Sequence, residues 1–188
     1  MMTGPVPATK GSDVDGNGAA QLVADHVLDV LDFPKPGIVF KDLSPLFADG
    51  PAFRQTVDAI IEAAPEFDLV AGIEARGFLL AAGVGYATST GIIPVRKAGK
   101  LPRATHAESY DLEYGTATLE IHTDAALAGQ RVLMLDDVLA TGGTAQAAMA
   151  LIDRTGASVI AFTVLLELAF LNGRSRLSGC PVSALLTV

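Results

Sequence analysis

One stretch of the chain, residues 132–144, joins three features in an order that constrains the fold. The four apolar residues at 132–135 are typical of a buried parallel strand, and ligands of open α/β sheets bind beyond the carboxyl ends of such strands. Asp136 and Asp137 follow directly, and a glycine-rich turn then precedes a helix predicted from Thr144. This order predicts an α/β fold with a ligand site at the carboxyl edge of its sheet.

The carboxylates and the glycine-rich turn suit different parts of one ligand. Ionised carboxylates only accept hydrogen bonds, so Asp136 and Asp137 repel a phosphate but suit the paired hydroxyls of a ribose. The turn can approach a phosphate closely, and the unpaired amides that open a helix favour an anion there. A helix terminus contributes only about 0.3 to 1 kcal/mol, so several amides and hydroxyls must wrap the phosphate. The predicted phosphate-binding residues are Ala140, Thr141, Gly142, Gly143 and Thr144.

A Thr-Gly-Gly turn by itself is more often an ordinary loop. The preceding strand and the Asp pair favour the functional interpretation, because the same strand, turn and helix context defines other phosphate loops. The turn is not a Walker loop, since no Gly-Lys-Ser/Thr follows, and it lacks the Gly-x-Gly-x-x-Gly of dinucleotide sites. The sequence therefore predicts a sugar-phosphate site.

The composition argues against several classes of partner. With 188 residues, half of them hydrophobic, the chain fits one domain with a sizeable core. A net charge of −8 argues against a nucleic-acid or anionic-membrane surface, which would need a basic patch. No run approaches the ~18 apolar residues of a membrane span, no leader-like segment opens the chain, and the single cysteine, Cys180, excludes an intrachain disulfide. We therefore expect a cytoplasmic protein without nucleic-acid or membrane partners.

Strand and helix patterns alternate along most of the chain. Predicted helices cover residues 18–31 (capped by Asn17), 50–63, 77–87 and 144–154. Predicted strands cover residues 69–73, 91–95, 131–135, 158–166 and 182–188. Residues 33–43, which contain two prolines, are predicted to form an irregular or edge segment. The alternation predicts a mainly parallel twisted sheet with helices on both faces, formed by a single domain over 19–188 after a disordered tail over 1–18.

Residues 97–123 depart from this alternation. Residues 110–114 and 116–122 alternate across Gly115 like an antiparallel hairpin, and a polar stretch precedes them. Such a loop is not expected to stay buried, because its backbone groups would lack partners. We therefore expect a flexible hairpin lid over about 97–123 that opens and closes over a substrate.

Five further segments resemble, together with residues 132–144, one known family, the type I phosphoribosyltransferases. They are FPKPGIVFKD at 33–42, GIEARGF at 72–78, RKAGKLP at 96–102, SYDLEYG at 109–115, and EL at 167–168 with GR at 173–174. Residues 132–144 resemble the family's phosphoribosyl pyrophosphate signature, and the first and last of the five resemble the base-binding parts of its adenine-specific members. The resemblance covers about residues 20–180 and implies the fold of this family, with a small hood beside the sheet.

The resemblance implies an enzyme that makes AMP and pyrophosphate from adenine and phosphoribosyl pyrophosphate in purine salvage, as a homodimer. It implies Mg²⁺ held mainly through substrate oxygens, and the scattered histidines and lone cysteine do not suggest zinc. Residues implied to bind pyrophosphate are Ala75, Arg76, Arg96, Lys97 and Lys100. The planar guanidinium of Arg76 suits phosphate oxygens. Plainer interpretations are a surface arginine that caps a neighbour for Arg76, and a solvated face for the three later cations.

The resemblance also implies catalytic residues and a base pocket. Glu113 matches the family's acid/base residue, Tyr114 lies beside it, and Arg76 completes the implied catalytic set. The plainer interpretation of Glu113 is an exposed hairpin carboxylate. Residues implied to bind adenine are Val39, Phe40, Lys41 and Leu168. Lys41 stands where an arginine often occurs in similar sequences, so its side-chain contact would be weaker than a backbone contact.

Two other functions remain open from the sequence. The same fold could act on hypoxanthine, guanine or xanthine instead of adenine. A non-catalytic regulator could instead bind phosphoribosyl pyrophosphate as an effector. Regulators of that kind need a basic DNA-binding module, and the sequence shows none.

Overall fold

A computed structural model describes residues 16–111 and 115–188 of the chain. The helices are α1 (Gly16–His26), α2 (Ser44–Ala48), α3 (Gly50–Ala63), α4 (Gly77–Thr88) and α5 (Gly143–Asp153). The strands are β1 (Leu28–Leu31), β2 (Val39–Asp42), β3 (Leu69–Ile73), β4 (Gly91–Lys97), β5 (Thr105–Asp111), β6 (Thr116–His122), β7 (Arg131–Leu139), β8 (Ser158–Glu167) and β9 (Val182–Thr187). Two 3₁₀ turns, Ala169–Leu171 and Gly173–Arg176, lie between β8 and β9.

The described residues form one large sheet and one small antiparallel ribbon. The large sheet has the strand order β5-β6-β4-β3-β7-β8-β9. Strands β3, β4, β7, β8 and β9 run parallel, whereas β6 pairs antiparallel with both β4 and β5. The ribbon consists of β1 and β2. The mainly parallel sheet predicted from the sequence is therefore confirmed.

Helices cover both faces of the large sheet because successive strand side chains point in opposite directions. In β7, Leu133 and Leu135 pack with α1, α2, α3 and α4, whereas Val132 and Met134 pack with α5. All four of these side chains are fully buried. Strands buried on both faces read as continuous apolar runs, which is what made β7 recognisable in the sequence.

The amino-terminal end differs from the prediction. Helix α1 ends at His26, and Leu28–Leu31 forms β1, which pairs with β2 over its whole length. Leu28 and Leu31 are exposed, so they do not belong to the buried face of a longer helix. A short apolar run fits the periodicity of a helix or of a strand, and here the pairing with β2 makes it a strand. The predicted tail is wrong for residues 16–18 and Asn17 lies inside α1, while residues 1–15 lie outside the described part.

Strand β7 is longer than predicted. It continues through Leu139 because its pairing with β8 continues to that residue, so Asp136 and Asp137 lie within the strand and not after it. Helix α5 begins one residue before the predicted start. The prediction for α3 is confirmed, and the carboxylate of Asp49 accepts a hydrogen bond from the backbone N–H of Ala52 at 2.9 Å.

The predicted hairpin forms, but most of it belongs to the sheet. Strand β5 starts five residues earlier than predicted, at Thr105, and pairs with β6 as far as Asp111. Leu119 and Ile121 in β6 are buried in the core. The pairing with β5 supplies hydrogen-bond partners for the backbone of β6. Motion of a lid over about residues 97–123 stays a prediction. No helix in the described part of the chain combines the length and apolar character that crossing a membrane requires.

Candidate active site

Two chain segments meet at the carboxyl edge of the sheet because β3 and β7 are parallel neighbours. The segment after β3, residues 74–76, is called here the β3–α4 turn. Gly77, the next residue, packs so closely on β7 that a Cβ atom added to it would lie 2.7 Å from the backbone oxygen of Leu135. The turn thereby brings the guanidinium of Arg76 to Asp137, with Nε and Oδ2 separated by 2.7 Å.

The two carboxylates of the Asp pair differ in exposure: Asp137 is buried, whereas Asp136 is half-buried and lines a pocket. Asp137 is only 4% exposed, and its backbone N–H donates to Oδ1 of Asp136 at 2.9 Å. Burial, followed by the neighbouring charge of Asp137, raises the pKa of Asp136 well above its usual range. Burial also raises the pKa of Asp137, although the positive charge of Arg76 opposes that effect.

One oxygen of this pair lacks a hydrogen-bond donor. Oδ2 of Asp137 is buried, and its close ion pair with Arg76 does not have hydrogen-bond geometry. No other donor within residues 16–111 and 115–188 reaches this atom. Buried polar atoms usually take part in a hydrogen bond, so a buried acceptor that has an ion pair but no hydrogen bond fits an incoming hydroxyl. This observation agrees with the predicted contact to a ribose.

Residues 140–144, called here the glycine turn, form a pocket of about 80 Å³ directly after β7. Gly142 adopts a positive φ of 83°, which a glycine tolerates at little cost. The residues predicted from the sequence that line this pocket are Asp136, Ala140, Thr141, Gly142 and Thr144. Gly143 opens α5 beside them and is buried. The structure therefore brings the predicted ribose and phosphate residues together.

Gly173 supports the glycine turn from outside, and the sequence reasoning assigned it only to the base-binding region. A Cβ atom at Gly142 would collide with the backbone oxygen of Gly173, and a Cβ at Gly173 would collide with the backbone oxygen of Ala140. The two backbones can approach in this way only because both residues are glycines. The Gly-Arg motif at 173–174 marked this position, but nothing local to it showed which segment it would contact.

The predicted pyrophosphate residues lie near the β3–α4 turn, and Glu74, which the sequence reasoning did not single out, connects them. Oε2 of Glu74 accepts from the backbone N–H of Lys97 at 3.0 Å and from Nε of Arg96 at 3.3 Å. Arg96 also donates to the backbone oxygen of Lys100 at 3.2 Å. Burial raises the pKa of Glu74, but these hydrogen bonds and the nearby cations outweigh it and lower the pKa overall. The guanidinium of Arg96 thus forms hydrogen bonds within the protein, whereas the side chains of Lys97 and Lys100 are exposed.

The four predicted adenine residues do not share one pocket. Val39, Lys41 and Leu168 line an open pocket of about 620 Å³. Phe40 is not among its lining residues, because neighbouring side chains of a strand point to opposite sides. Its ring lies 5.4 Å from the guanidinium carbon of Arg76. Contact of these four residues with adenine, with Leu168 on the other side of the ring, stays a prediction.

The ammonium of Lys41 is also engaged within the protein. Its Nζ lies 2.6 Å from Oδ1 of Asp29, across the β1–β2 ribbon. This ion pair directs the ammonium to the ribbon, so the side chain is not free for a base. The sequence showed that a lysine stands here in place of an arginine, but it did not show that Asp29 is the partner of Lys41.

Glu113 and Tyr114 lie outside the described residues, in the connection between β5 and β6. The sequence also predicts that the protein alone does not build a metal site. In the part of the chain that the structure describes, no group of three or more His, Cys, Asp or Glu side chains could hold a metal ion.

Comparisons with known proteins identify the family. A family model for the phosphoribosyl transferase domain matches residues 48–177. An adenine phosphoribosyltransferase from Salinispora tropica is 61% identical over 175 residues, covering 92% of this chain and 93% of the relative. The corresponding protein of Thermobifida fusca is 54% identical over 169 residues, covering 89% and 96%.

Solved structures agree with these relatives. The adenine phosphoribosyltransferase of Thermoanaerobacter pseudethanolicus has a TM-score of 0.87 at 43% identity, covering 90% of this chain and 99% of that one. The yeast enzyme from Saccharomyces cerevisiae, solved with adenine and an imino-altritol bisphosphate, has a TM-score of 0.86 at 37% identity, covering 90% and 99%. The parallel sheet, the Asp pair and the glycine turn thus occur in a chain that belongs to the phosphoribosyltransferase family, and within it to the adenine phosphoribosyltransferases.

Proposed function

We propose that the protein transfers the phosphoribosyl group of phosphoribosyl pyrophosphate to adenine, producing AMP and pyrophosphate in purine salvage. The observation that carries this proposal is the buried Oδ2 of Asp137, which has an ion pair with Arg76 but accepts no hydrogen bond. Together with the glycine turn, this atom suits a sugar with a terminal phosphate. The names of the relatives and the adenine bound to the yeast enzyme support adenine as the acceptor.

The donor is proposed to bind by its two ends. Asp136 and Asp137 accept hydrogen bonds from the ribose hydroxyls, which favours their ionised forms despite burial. The amides and hydroxyls of the glycine turn surround the 5-phosphate, and α5 begins there. The donor is thereby fixed with its anomeric carbon between the glycine turn and the β3–α4 turn.

Pyrophosphate is proposed to leave toward the β3–α4 turn, at Ala75 and Arg76. Arg76 exchanges its contact with Asp137 for the leaving phosphates as the ribose hydroxyls occupy the carboxylate. Lys97 and Lys100 supply further positive charge, and Arg96 holds the backbone that carries them. Each well-placed electrostatic contact is worth on the order of 10² to 10³ in rate, so neutralising the leaving group is the largest part of the catalysis.

The chemical step replaces one bond at the anomeric carbon. The bond to the pyrophosphate oxygen breaks, the bond to the adenine nitrogen forms, and that nitrogen loses its proton. Glu113 is proposed to accept the proton, with Tyr114 beside it. General base assistance of this kind contributes roughly 10² to 10⁴ in rate.

Mg²⁺ is proposed to bind together with the donor. Asp136 and Asp137 are the carboxylates within reach of the sugar, and oxygen ligands of this type suit the ion. When bound, the ion would add positive charge next to the phosphate oxygens. Two carboxylates would leave most of the coordination shell of the ion to substrate oxygens and water.

The base is proposed to lie between the β1–β2 ribbon and Leu168. Val39 and Leu168 present apolar surface to the pocket there, and backbone groups of β2 can read the edge of a purine. Phe40 approaches from the side of Arg76 and would meet the base near the sugar. Lys41 contributes through its backbone, because Asp29 holds its ammonium.

A homodimer in the cytoplasm is proposed as the working form, with residues 19–188 as a single domain. Helix α4 carries an exposed apolar stripe formed by Leu79, Ala82 and Tyr86, which share one face at helical spacing. Exposed apolar patches of this kind are typical of subunit interfaces. Dimerisation through this stripe would cover the side chains of Leu79, which is 47% exposed, and Tyr86, which is 91% exposed.

Steady-state assays with phosphoribosyl pyrophosphate and each purine base test the proposal. We expect turnover with adenine well above that with hypoxanthine, guanine or xanthine. Turnover with one of the other bases alone would reassign the acceptor. Binding of phosphoribosyl pyrophosphate without turnover of any base would favour a regulator.

A double variant tests the binding of the donor. Asp136→Asn with Asp137→Asn should weaken binding of phosphoribosyl pyrophosphate in titration calorimetry, because amides replace the carboxylate acceptors. Wild-type affinity in this variant would contradict the ribose contact.

A further inference from the structure

The proposed base pocket and the glycine turn share one supporting segment. Residues 168–173, called here the connecting segment, follow β8 directly. At one end Leu168 lines the open pocket beside the β1–β2 ribbon. At the other end Gly173 packs backbone to backbone against Ala140 and Gly142 of the glycine turn.

The connecting segment is held at both ends by a single ion pair. Glu167 comes immediately before it and Arg174 immediately after it. Nε of Arg174 lies 2.7 Å from Oε1 and 2.8 Å from Oε2 of Glu167, and its terminal NH2 nitrogen lies 2.6 Å from Oε2. Several charge-assisted bonds of this kind give a pair geometric specificity as well as strength.

The surroundings make this pair more than a surface contact. The side chain of Glu167 is only 7% exposed, so the carboxylate would be costly to bury without its partner. Arg174 also donates to the backbone oxygen of Val182 at the start of β9. The backbone N–H of Leu168 donates to the oxygen of Leu139 at 2.9 Å, which ties the segment to the end of β7.

We propose that Glu167 and Arg174 are positioning residues that set the connecting segment against both substrate pockets, so that adenine and the ribose phosphate depend on one support. The inference rests on the proposed function for the identity of the base pocket. Neither residue needs to touch a substrate. Gly173 cannot move without moving the glycine turn, because no space separates the two backbones.

Arg174→Ala is the principal test. We expect the Kd for ribose 5-phosphate and the Kd for adenine to rise together, each by at least about fivefold, the lower end of typical coupling between sites. Ribose 5-phosphate has no base, so its weaker binding would report on the glycine turn alone. Arg174→Lys should restore part of both affinities, because one ammonium can replace only part of a multidentate contact.

Arg176→Ala is the matched control. It removes a guanidinium from the same 3₁₀ turn, and within the described residues its exposed side chain has no recorded ion pair or hydrogen bond. It should leave both dissociation constants unchanged. A rise confined to one ligand, or unchanged affinities with a lower melting temperature, would overturn the proposal.

Glu167→Gln covers the case in which Arg174→Ala does not fold. The glutamine keeps the shape of the side chain and one acceptor oxygen. We still expect the dissociation constants for ribose 5-phosphate and adenine to rise together, but by less than in Arg174→Ala. A change in only one ligand would again contradict the shared support. If wild-type protein binds ribose 5-phosphate but not adenine, the proposed function fails, and the ribose 5-phosphate measurements alone decide whether Arg174 supports the glycine turn.

Discussion

Asp136 has to satisfy two requirements that conflict. Its position suits a contact with ribose hydroxyls, yet burial and the charge of Asp137 raise the pKa of its carboxyl well above the usual range. A raised carboxyl pKa means that the folded protein resists the ionised form, which lowers stability as the pH rises above the unfolded value. Residues at binding sites commonly reduce stability in this way.

We expect Asp136→Asn to increase the free energy of unfolding at neutral pH, because the amide removes a desolvated charge. The gain should shrink as the pH falls toward 3.8, the ordinary value at which the unfolded Asp is protonated. Urea unfolding at several pH values measures it. Asp25→Asn, at an exposed position of α1, is the control for the same substitution outside the site. An equal pH dependence in wild type and Asp136→Asn would contradict the raised pKa.

The proposed role of Glu113 is also tested at a single residue. Glu113→Gln should lower kcat by roughly 10² to 10⁴, because the amide cannot accept the proton. Binding of phosphoribosyl pyrophosphate should stay close to wild type in calorimetry. Glu62→Gln, an exposed position on α3, should change neither quantity. Unchanged turnover in Glu113→Gln would remove the acid/base assignment.

At the scale of elements, the glycine turn depends on a contact with a distant part of the chain. Gly142 and Gly129 share a φ of 83°, but only Gly142 has another backbone where a Cβ atom would lie. Alanine substitutions at these two positions therefore distinguish the destabilisation caused by a positive φ from the effect of displacing the glycine turn.

Gly142→Ala and Gly129→Ala should each lose about 1 to 2 kcal/mol of stability from the unfavourable φ. Gly142→Ala should in addition weaken ribose 5-phosphate binding, because its methyl group pushes the glycine turn from Gly173. Thermal unfolding and calorimetry on both variants measure the two effects. Weakened ligand binding in Gly129→Ala would show that the φ alone, and not the contact, is responsible.

Local patterns predicted the elements whose character depends on their own residues. The apolar run before Asp136 and the extent of α3 are examples, and both were located correctly. The sequence could not show that β1 replaces the end of a helix, because its pairing with β2 involves residues eight to fourteen positions away. The role of Glu74 and the contact of Gly173 with the glycine turn were missed for the same reason, since each involves a distant segment.

At the scale of the whole molecule, the exposed stripe on α4 lies on the helix that follows the β3–α4 turn. A subunit interface there would be close to the proposed pyrophosphate site, because the stripe begins three residues after Arg76. Association and catalysis would then be linked through the position of α4.

Leu79→Glu should convert the proposed dimer to a monomer, because it places a charge in the apolar stripe. Light scattering coupled to size-exclusion chromatography measures the molar mass. Leu127→Glu is the control: Leu127 is 71% exposed but lies in the turn before β7. A wild-type monomer, or a Leu79→Glu dimer, would contradict an interface at this stripe.

The contact between Arg76 and Asp137 has a consequence for the end of the reaction cycle. Before a donor arrives, each group neutralises the other, so the arginine is less available to a pyrophosphate that comes without a sugar. Asp137→Asn would release the guanidinium from this competition. We expect the variant to suffer stronger product inhibition, seen as a lower inhibition constant for pyrophosphate, while its affinity for ribose 5-phosphate declines. The carboxylate of Asp137 would thus promote the release of pyrophosphate at the end of each cycle.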